Sequence, residues 1–149
     1  MLPVKKILCP LDFSGASHTA LRTAAEFALH FQAQLVLVHV VPVLPPVHGD
    51  PNFAFSVPEY ESALHADAQR QLTALADDLG KKGVTARTVV AHGDAGGEIA
   101  RAAEADAVDL VVIATHGMTG WRHVMFGSVA SKVVRIAGRP VLVVPSPRD

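Results

Sequence analysis

The chain has 149 residues, of which 50% are hydrophobic and 18% are charged. This length suits a single domain over residues 1–149 that is large enough to bury a sizeable core. The hydrophobic content excludes general disorder. With 13 Lys and Arg against 14 Asp and Glu, the formal charge of -1 argues against a nucleic-acid-binding protein and against electrostatic attachment to a membrane.

Five short apolar runs predict β-strands. They are rich in Val, Ile and Leu, and several are unbroken, which is typical of strands covered on both faces of a sheet. In chain order they are residues 4–9, 35–41, 84–91, 110–114 and 141–144. Prolines at positions 10, 42 and 145 follow the first, second and fifth runs, and we expect these strands to stop there.

Helical patterns lie between the strands. Apolar stripes predict a first helix around residues 20–31 and a second around 64–79. A third is expected at 95–107, with Asp94 as its N-cap, and a fourth at 128–137. Strands that alternate with helices in this order predict a parallel sheet with right-handed crossovers, so we expect a doubly wound, open α/β fold with five strands and four helices.

The start of the second helix is predicted by Ser56 and Glu59, which are spaced as in a capping box, with Pro58 in the first turn. Gly83 is placed to end the helix. This start leaves residues 42–57 as a long, proline-rich loop. A loop of that length is either functional or a variable surface excursion.

A single cysteine, Cys9, excludes an internal disulfide, a zinc ribbon and a CxxC redox pair. Its place in an apolar run predicts a buried, unreactive thiol. The lone cysteine fits a reducing cytoplasm, where we place the protein. The apolar run at the N-terminus is too short for a secretory signal, and no apolar stretch approaches the length of a membrane span.

Ligands of open parallel sheets bind beyond the carboxyl ends of the strands, near the switch in strand order. We therefore expect the segments that follow the strands to converge there. They are residues 10–12, 40–43, 92–94 and 115–128. Asp12 has two possible roles. In a binding site it could accept a hydrogen bond from a ribose or hold a magnesium ion. The alternative is a turn residue that caps the first helix together with Ser14. His39, inside an apolar strand, is predicted to be hydrogen-bonded and partly buried.

The segment after the fourth strand is rich in glycine and ends with Gly127 and Ser128 at the start of a helix. Glycine lets the backbone approach a ligand closely, and free amides at a helix N-terminus attract anions. The sequence from 110 to 148 holds no acidic residue, which suits a small anion. Its basic residues are Arg122, Lys132, Arg135, Arg139 and Arg148. The alternative is that the glycines only shape a strand-to-helix turn.

Two phosphate motifs are missing from the sequence, since there is no glycine-rich loop ending in GKS or GKT and no GxGxxG after the first strand. Eight histidines raise the question of a metal site, with His92, His116 and His123 expected near one edge. Without HExxH spacing or companion cysteines, structural or solvent-facing imidazoles are favoured, and we assign no metal site. Trp121 is expected to anchor the glycine segment to the body of the protein.

These motifs resemble the universal stress proteins, which carry Gly-x-x-Gly, nine residues, then Gly-Ser or Gly-Thr. Here Gly117 is followed by nine residues and then by Gly127 and Ser128. Residues 7–14, 39–41 and 140–144 also look like the family, so the resemblance spans essentially the whole chain. It implies a Rossmann-like nucleotide-binding fold of the adenine nucleotide alpha hydrolase type.

The resemblance implies a site for ATP or a related adenine nucleotide, with Mg²⁺ as an accompanying ion. The implied site residues are Pro10, Asp12, Val40, Ile113, Ala114, His116, Gly117, Gly127, Ser128 and Val129. The glycines, Ser128 and Val129 match positions for the phosphates and ribose, while Asp12 and Val40 match the nucleoside side. Ala114 departs from the family, because it replaces the first glycine of the nucleotide-binding motif. The family includes members that bind ATP and members that do not.

The resemblance also implies a homodimer that pairs through residues 141–144 and acts in stress responses through its nucleotide-dependent state. An apolar last strand would be an aggregation risk if it were left as an exposed edge, and symmetric pairing removes that risk. One alternative is a dimeric scaffold of the same family that binds no nucleotide. A less favoured one is a slow ATPase or phosphotransferase, since the sequence offers no persuasive general base, arginine finger or metal-binding carboxylate pair.

Overall fold

The computed structural model describes residues 2–44, 51–116 and 127–146, and for residues 51–56 it describes the backbone alone. Five parallel strands form one sheet in the order β3-β2-β1-β4-β5, which confirms the doubly wound α/β prediction. The strands are β1 (Lys6–Pro10), β2 (Gln34–Val41), β3 (Ala86–His92), β4 (Leu110–Ala114) and β5 (Val141–Val144). The chain winds outward from β1 to β3 and then returns to β4 on the other side, so the switch point lies between β1 and β4.

Four helices cover the two faces of the sheet. They are α1 (Gly15–Phe31), α2 (Pro51–Lys81), α3 (Ala95–Ala105) and α4 (Ser128–Ile136). Helices α1 and α2 pack on the face that receives Ile7 and Cys9, whereas α3 and α4 pack on the face that receives Leu8. Neighbouring residues of β1 thus enter opposite apolar layers, which is why the central strands read as unbroken apolar runs.

Side-chain caps fix where two of the helices begin. The Ser14 hydroxyl accepts a hydrogen bond from the Ser17 N–H at 3.2 Å and caps α1. Asp94 accepts from the Gly97 N–H at 2.8 Å and caps α3, which confirms the sequence prediction for that helix. Both contacts satisfy amide groups that a helix leaves open in its first turn.

The predicted start of the second helix is wrong. Helix α2 begins at Pro51, so Pro58 lies inside it and the Ser56–Glu59 pattern is not its cap. Proline is favoured at the first position of a helix, so both Pro51 and Pro58 were consistent with a helix start. The connection after β2 is therefore shorter than the predicted loop over 42–57, and its residues 45–50 lie outside the described part of the chain.

Helix α1 begins at Gly15, five residues before the predicted stripe, and the remaining element boundaries differ by at most two residues from the prediction. Pro10 belongs to β1, where it is paired with Val38 of β2, instead of stopping the strand before it. Strand β3 extends to His92, and α4 ends at Ile136. Helix α3 ends at Ala105 because Ala107 adopts φ 49°, a left-handed conformation that does not continue a right-handed helix.

Cys9 has no solvent exposure, and burial raises the pKa of its thiol to about 12. The prediction of a buried cysteine is confirmed, and a thiol that stays protonated is a poor nucleophile. Of the helices in the described ranges, none combines the length and the apolarity that a membrane crossing needs.

Asp109, just before β4, stabilises the amino-terminal edge of the sheet. Its carboxylate accepts hydrogen bonds from the backbone N–H of Lys5 at 2.7 Å and of Lys6 at 3.0 Å. The bond from Lys5 is the main reason why the pKa of Asp109 lies below its ordinary value, and the bond from Lys6 adds to it while burial opposes both. This contact ties the start of β1 to the start of β4.

We expect Asp109→Ala to lower the free energy of unfolding by about 1 kcal/mol at neutral pH, the usual net value of such hydrogen bonds. A carboxylate whose pKa is lowered on folding stabilises the protein above its unfolded pKa, and that contribution is lost as pH falls through the folded pKa. Urea unfolding of both proteins at pH 7 and pH 3 measures the difference. A difference that does not shrink in acid would contradict the assignment.

Candidate functional site

A cavity of about 470 Å³ opens at the carboxyl edge of the sheet, over the switch point between β1 and β4. This volume falls in the range of small-molecule sites, and the position is where doubly wound sheets bind ligands. Its walls come from the ends of three strands and the starts of three helices. The lining residues are Pro10, Leu11, Asp12, Ser17, Val38, His39, Val40, Pro42, Ala95, Ile99, Ile113, Ala114, Thr115, His116, Gly127, Ser128, Val129 and Ala130.

Nine of the ten residues proposed from the sequence line this cavity, and the tenth, Gly117, lies outside the described residues. The segment after β3 lines the cavity with other residues than the predicted 92–94. Its lining residues are Ala95 and Ile99 of α3, whereas His92 and the rest of 92–94 are not in the described wall. The sequence reasoning also missed Ser17, although a serine in the first turn of a helix at this edge was a usable signal.

Gly127 packs directly against the end of β4. Its N–H donates a hydrogen bond to the Thr115 carbonyl oxygen at 2.7 Å, and a Cβ at this position would lie 2.9 Å from the same oxygen. Only a residue without a side chain fits this close approach. Gly127 is the N-cap of α4, so the first-turn amides of Ser128 to Ala130 begin at the cavity wall. Such amides attract an anion.

Asp12 contacts the residue that caps α1 and also lines the cavity. One carboxylate oxygen accepts hydrogen bonds from the Ser14 N–H at 3.0 Å and from the Ser14 hydroxyl at 2.5 Å. Ser14 in turn caps α1, so Asp12 supports the cap rather than forming it. Because Asp12 also lines the cavity, the same contacts fix the position of a carboxylate in the cavity wall.

His39 holds the loop that follows β1. Its Nδ1 lies 2.7 Å from the Leu11 carbonyl oxygen, and because a carbonyl only accepts, Nδ1 carries the hydrogen. The ring stacks on Phe13, with centroids 4.6 Å apart, and Phe13 itself adopts a left-handed φ of 64°. The prediction of a hydrogen-bonded, partly buried His39 is confirmed. The contact also places His39 in the cavity wall, a role that the sequence did not predict.

The basic character expected near this edge is partly neutralised. Lys132 of α4 forms an ion pair with Asp94, with its Nζ 2.8 Å from a carboxylate oxygen. The hydrogen bond from Lys132 lowers the pKa of Asp94 most, and the bond from the Gly97 N–H adds to it. Two other basic residues of this region, Arg122 and Arg148, lie outside the described residues. Within the described wall, attraction for an anion therefore comes mainly from helix amides.

The histidine cluster expected at this edge does not form a described metal site. Within the ranges that the structure covers, no three His, Cys, Asp or Glu side chains are grouped to hold a metal ion. His92 contacts His65 instead, and His123 lies outside the described residues together with Gly120 and Trp121.

The model of the universal stress protein family matches residues 3–145 of the chain. The chain belongs to the universal stress protein family. One relative, universal stress protein MJ0531 of Methanocaldococcus jannaschii, is 32% identical over 148 residues, which cover 97% of this chain and 84% of the relative. Another from the same organism, universal stress protein MJ0577, is 28% identical over 152 residues, 94% of each chain.

Solved structures place this universal stress protein in the same fold. Universal stress protein UspA from Lactobacillus plantarum superposes with a TM-score of 0.83 at 25% identity, covering 95% of this chain and 97% of that one. Two more distant structures, each 20% identical, share the fold. One is a universal stress protein in complex with cAMP, with a TM-score of 0.64 over 97% and 98% of the two chains. The other, from Archaeoglobus fulgidus, is in complex with dAMP, with a TM-score of 0.60 over 96% and 98%.

Proposed function

We propose that the chain binds ATP or a related adenine nucleotide in the cavity at the switch point, and that it acts in stress responses as a homodimer whose state depends on the bound nucleotide. One observation carries the proposal. The Gly127 backbone closes on Thr115 and presents the first turn of α4 to a cavity that also holds the Asp12 carboxylate. This arrangement pairs an anion-binding end with an acceptor for sugar hydroxyls.

The phosphates belong at the start of α4. The amides of Ser128, Val129 and Ala130 lie in the first helical turn, where they have no partner inside the helix. The Ser128 hydroxyl adds a further donor beside them. A phosphate bound mainly by backbone amides depends on the path of the chain, which Gly127 sets, more than on any single side chain. Gly117, which lies outside the described residues, is assigned to the same group by its place in the family motif.

The nucleoside belongs at the ends of β1 and β2. Asp12 accepts hydrogen bonds, which suits ribose hydroxyls, and Val40 lines the wall beside it. Ile99 and Ile113 supply apolar surface for a base. A carboxylate oxygen is also the ligand type that Mg²⁺ takes beside phosphates, so Asp12 would hold the ion together with the nucleotide.

Ala114 is compatible with this assignment. It packs against the apolar layer beneath α1, whereas its neighbour Ile113 belongs to the layer on the other face. Its methyl group therefore has an apolar environment, and we expect nucleotide binding to tolerate it. Binding of adenine nucleotides by other proteins with this fold, those solved with cAMP and dAMP, supports the choice of base.

The homodimer would form through β5, which pairs only with β4 in the described sheet and leaves its other edge open. All four of its apolar residues are half-buried. Pairing of two such edges across a two-fold axis would cover them and remove an aggregation risk. We place this dimer in the cytoplasm and treat each subunit as a single domain over residues 1–149.

The test is to purify the protein without added nucleotide, denature it, and identify any released adenine nucleotide by mass. We expect recovery near one nucleotide per chain, or, for empty protein, stabilisation by Mg-ATP of about 2.7 kcal/mol at 100 times the dissociation constant. Empty protein with no thermal shift would favour the scaffold. Turnover of ATP that is lost in both Asp12→Ala and Gly127→Ala would favour the slow ATPase.

A further inference from the structure

Two histidines meet on the surface beside the sheet, away from the described wall of the cavity. His65 belongs to α2, and His92 is the last residue of β3. The Nδ1 atom of His65 lies 2.8 Å from the Nε2 atom of His92, and both residues are exposed. The two residues are 27 positions apart in sequence, so the fold rather than local spacing brings them together.

The two rings meet edge to edge. Their planes differ by 5°, and their centroids are 5.1 Å apart. The distance between the centroids is longer than the 2.8 Å between the two nitrogens by about two ring radii, as expected for rings in line with each other. The facing nitrogens therefore lie between the ring centres. One of them carries a hydrogen and the other accepts it, since two lone pairs would otherwise face each other at hydrogen-bond distance. The remaining ring nitrogens, Nε2 of His65 and Nδ1 of His92, are on the far side of each ring.

A second contact holds the elements that carry the two rings. Gln69, one helical turn after His65, donates a hydrogen bond through Nε2 to the Thr88 hydroxyl at 3.1 Å. Thr88 lies four residues before His92 on β3. The helix and the strand are therefore joined near the pair, which keeps the two backbones at the spacing that contact between the rings needs.

We propose that His65 and His92 chelate a transition-metal ion of the Zn²⁺, Ni²⁺ or Cu²⁺ class. Imidazole nitrogen is a preferred ligand of these ions. With Zn–N bonds of 2.0–2.1 Å and a tetrahedral angle, two ligating nitrogens lie about 3.3 Å apart. The present pair has to open by roughly 0.5 Å to reach that distance, and each ring has to turn its facing nitrogen toward an ion beside the line between them, which exposed rings can do by side-chain rotation.

Metal binding replaces the hydrogen bond between the two rings. The ring whose facing nitrogen carries the hydrogen shifts it, through solvent, to its outer nitrogen, so that both facing nitrogens present lone pairs. No net proton is released when both rings are neutral. Within the described residues no third His, Cys, Asp or Glu joins the pair, so water fills the other coordination positions. The site is thus open and exchangeable, unlike a closed structural zinc site.

The experiment is a calorimetric titration of the untagged, full-length protein with Cu²⁺, Ni²⁺, Zn²⁺ and Mg²⁺ salts, in a buffer that does not bind metal. We expect one equivalent of Cu²⁺, Ni²⁺ or Zn²⁺ to bind, with Cu²⁺ the tightest, and no binding of Mg²⁺ at this site, since Mg²⁺ takes oxygen ligands. His65→Ala and His92→Ala should each weaken binding at least on the order of tenfold, which is the effect of losing even an outer partner of a metal ligand.

Two further variants make the result specific. His18→Ala removes an exposed histidine of α1 and should leave the affinity unchanged. His65→Gln keeps a hydrogen-bonding side chain but should lose the metal, which separates chelation from the hydrogen bond. Equal binding by the native protein and by both alanine variants would overturn the proposal and leave the pair as a hydrogen bond alone. Neither histidine lines the described wall of the cavity, so failure of the proposed nucleotide binding would leave this result unaffected.

Discussion

Replacing Gly127 with alanine is expected to lower adenine nucleotide affinity by roughly 10- to 100-fold, because an overpacking cost of about 1–3 kcal/mol is imposed on the phosphate-binding turn. The new Cβ would lie 2.9 Å from the Thr115 carbonyl oxygen. That oxygen belongs to the backbone at the end of β4 and cannot rotate away. Either the hydrogen bond from Gly127 to Thr115 lengthens or the start of α4 moves, and both displace the amides that would bind the phosphates.

A matched control is available in Gly80, which lies near the end of α2 with open space where a Cβ would be added. Gly80→Ala should leave the affinity unchanged and raise stability by about 0.5–1 kcal/mol, since alanine restricts the unfolded chain. Thermal unfolding with and without Mg-ATP measures both effects. A Gly127→Ala protein that binds nucleotide as tightly as the native protein would exclude the start of α4 as the phosphate site.

Replacing Val143 with proline is expected to convert the proposed dimer to monomers. Strand β5 pairs with β4 through alternate residues, as the hydrogen bond from the Thr115 N–H to the Val144 carbonyl oxygen and that from the Val111 N–H to the Pro140 carbonyl oxygen show. In a parallel strand the residues between them direct their N–H groups to the other edge. Proline at 143 therefore removes a donor from the open edge and spares the pairing with β4.

Sedimentation velocity across a concentration series would measure this change, with circular dichroism to confirm that the variant is folded. Val143→Ile keeps the N–H group and a β-branched apolar side chain, so it should remain dimeric. If the folded proline variant sedimented as a dimer, the two-fold contact would lie elsewhere on the surface. The nucleotide affinity of a monomeric variant would then show whether the dimer contributes to binding.

The apolar runs allowed the sheet to be predicted because each central strand is buried on both faces. Ile7 and Cys9 enter one layer and Leu8 the other, so the buried part of β1 from Ile7 to Cys9 has no polar position. The place of the cavity followed from the topology, since the order of strands and helices defines the switch point before any side chain is considered. Gly127 was recognisable from its place at the end of a glycine-rich segment that opens a helix, and the structure supplies the reason, since a Cβ there would lie 2.9 Å from the Thr115 carbonyl oxygen.

What escaped prediction depends on contacts between distant segments. The start of α2 was misplaced because Pro51 and Pro58 offer the same local signal, and only tertiary structure chooses between them. The pairing of Lys132 with Asp94 joins two helices that sequence patterns treat separately, so the positive charge expected near the cavity was overestimated. The contact of His65 with His92 likewise needs α2 to lie across β3.

The cavity is lined from both faces of the sheet. Ser17 reaches it from α1 on one face, whereas Ile99 and Ala130 reach it from α3 and α4 on the other. A molecule seated there would contact both layers at once, which the backbone of the sheet otherwise keeps apart. A bound molecule would therefore couple the local unfolding of α1 to that of α3 and α4. Its binding would slow amide hydrogen exchange in all three helices together. The ligand would act as part of the core and make unfolding more cooperative.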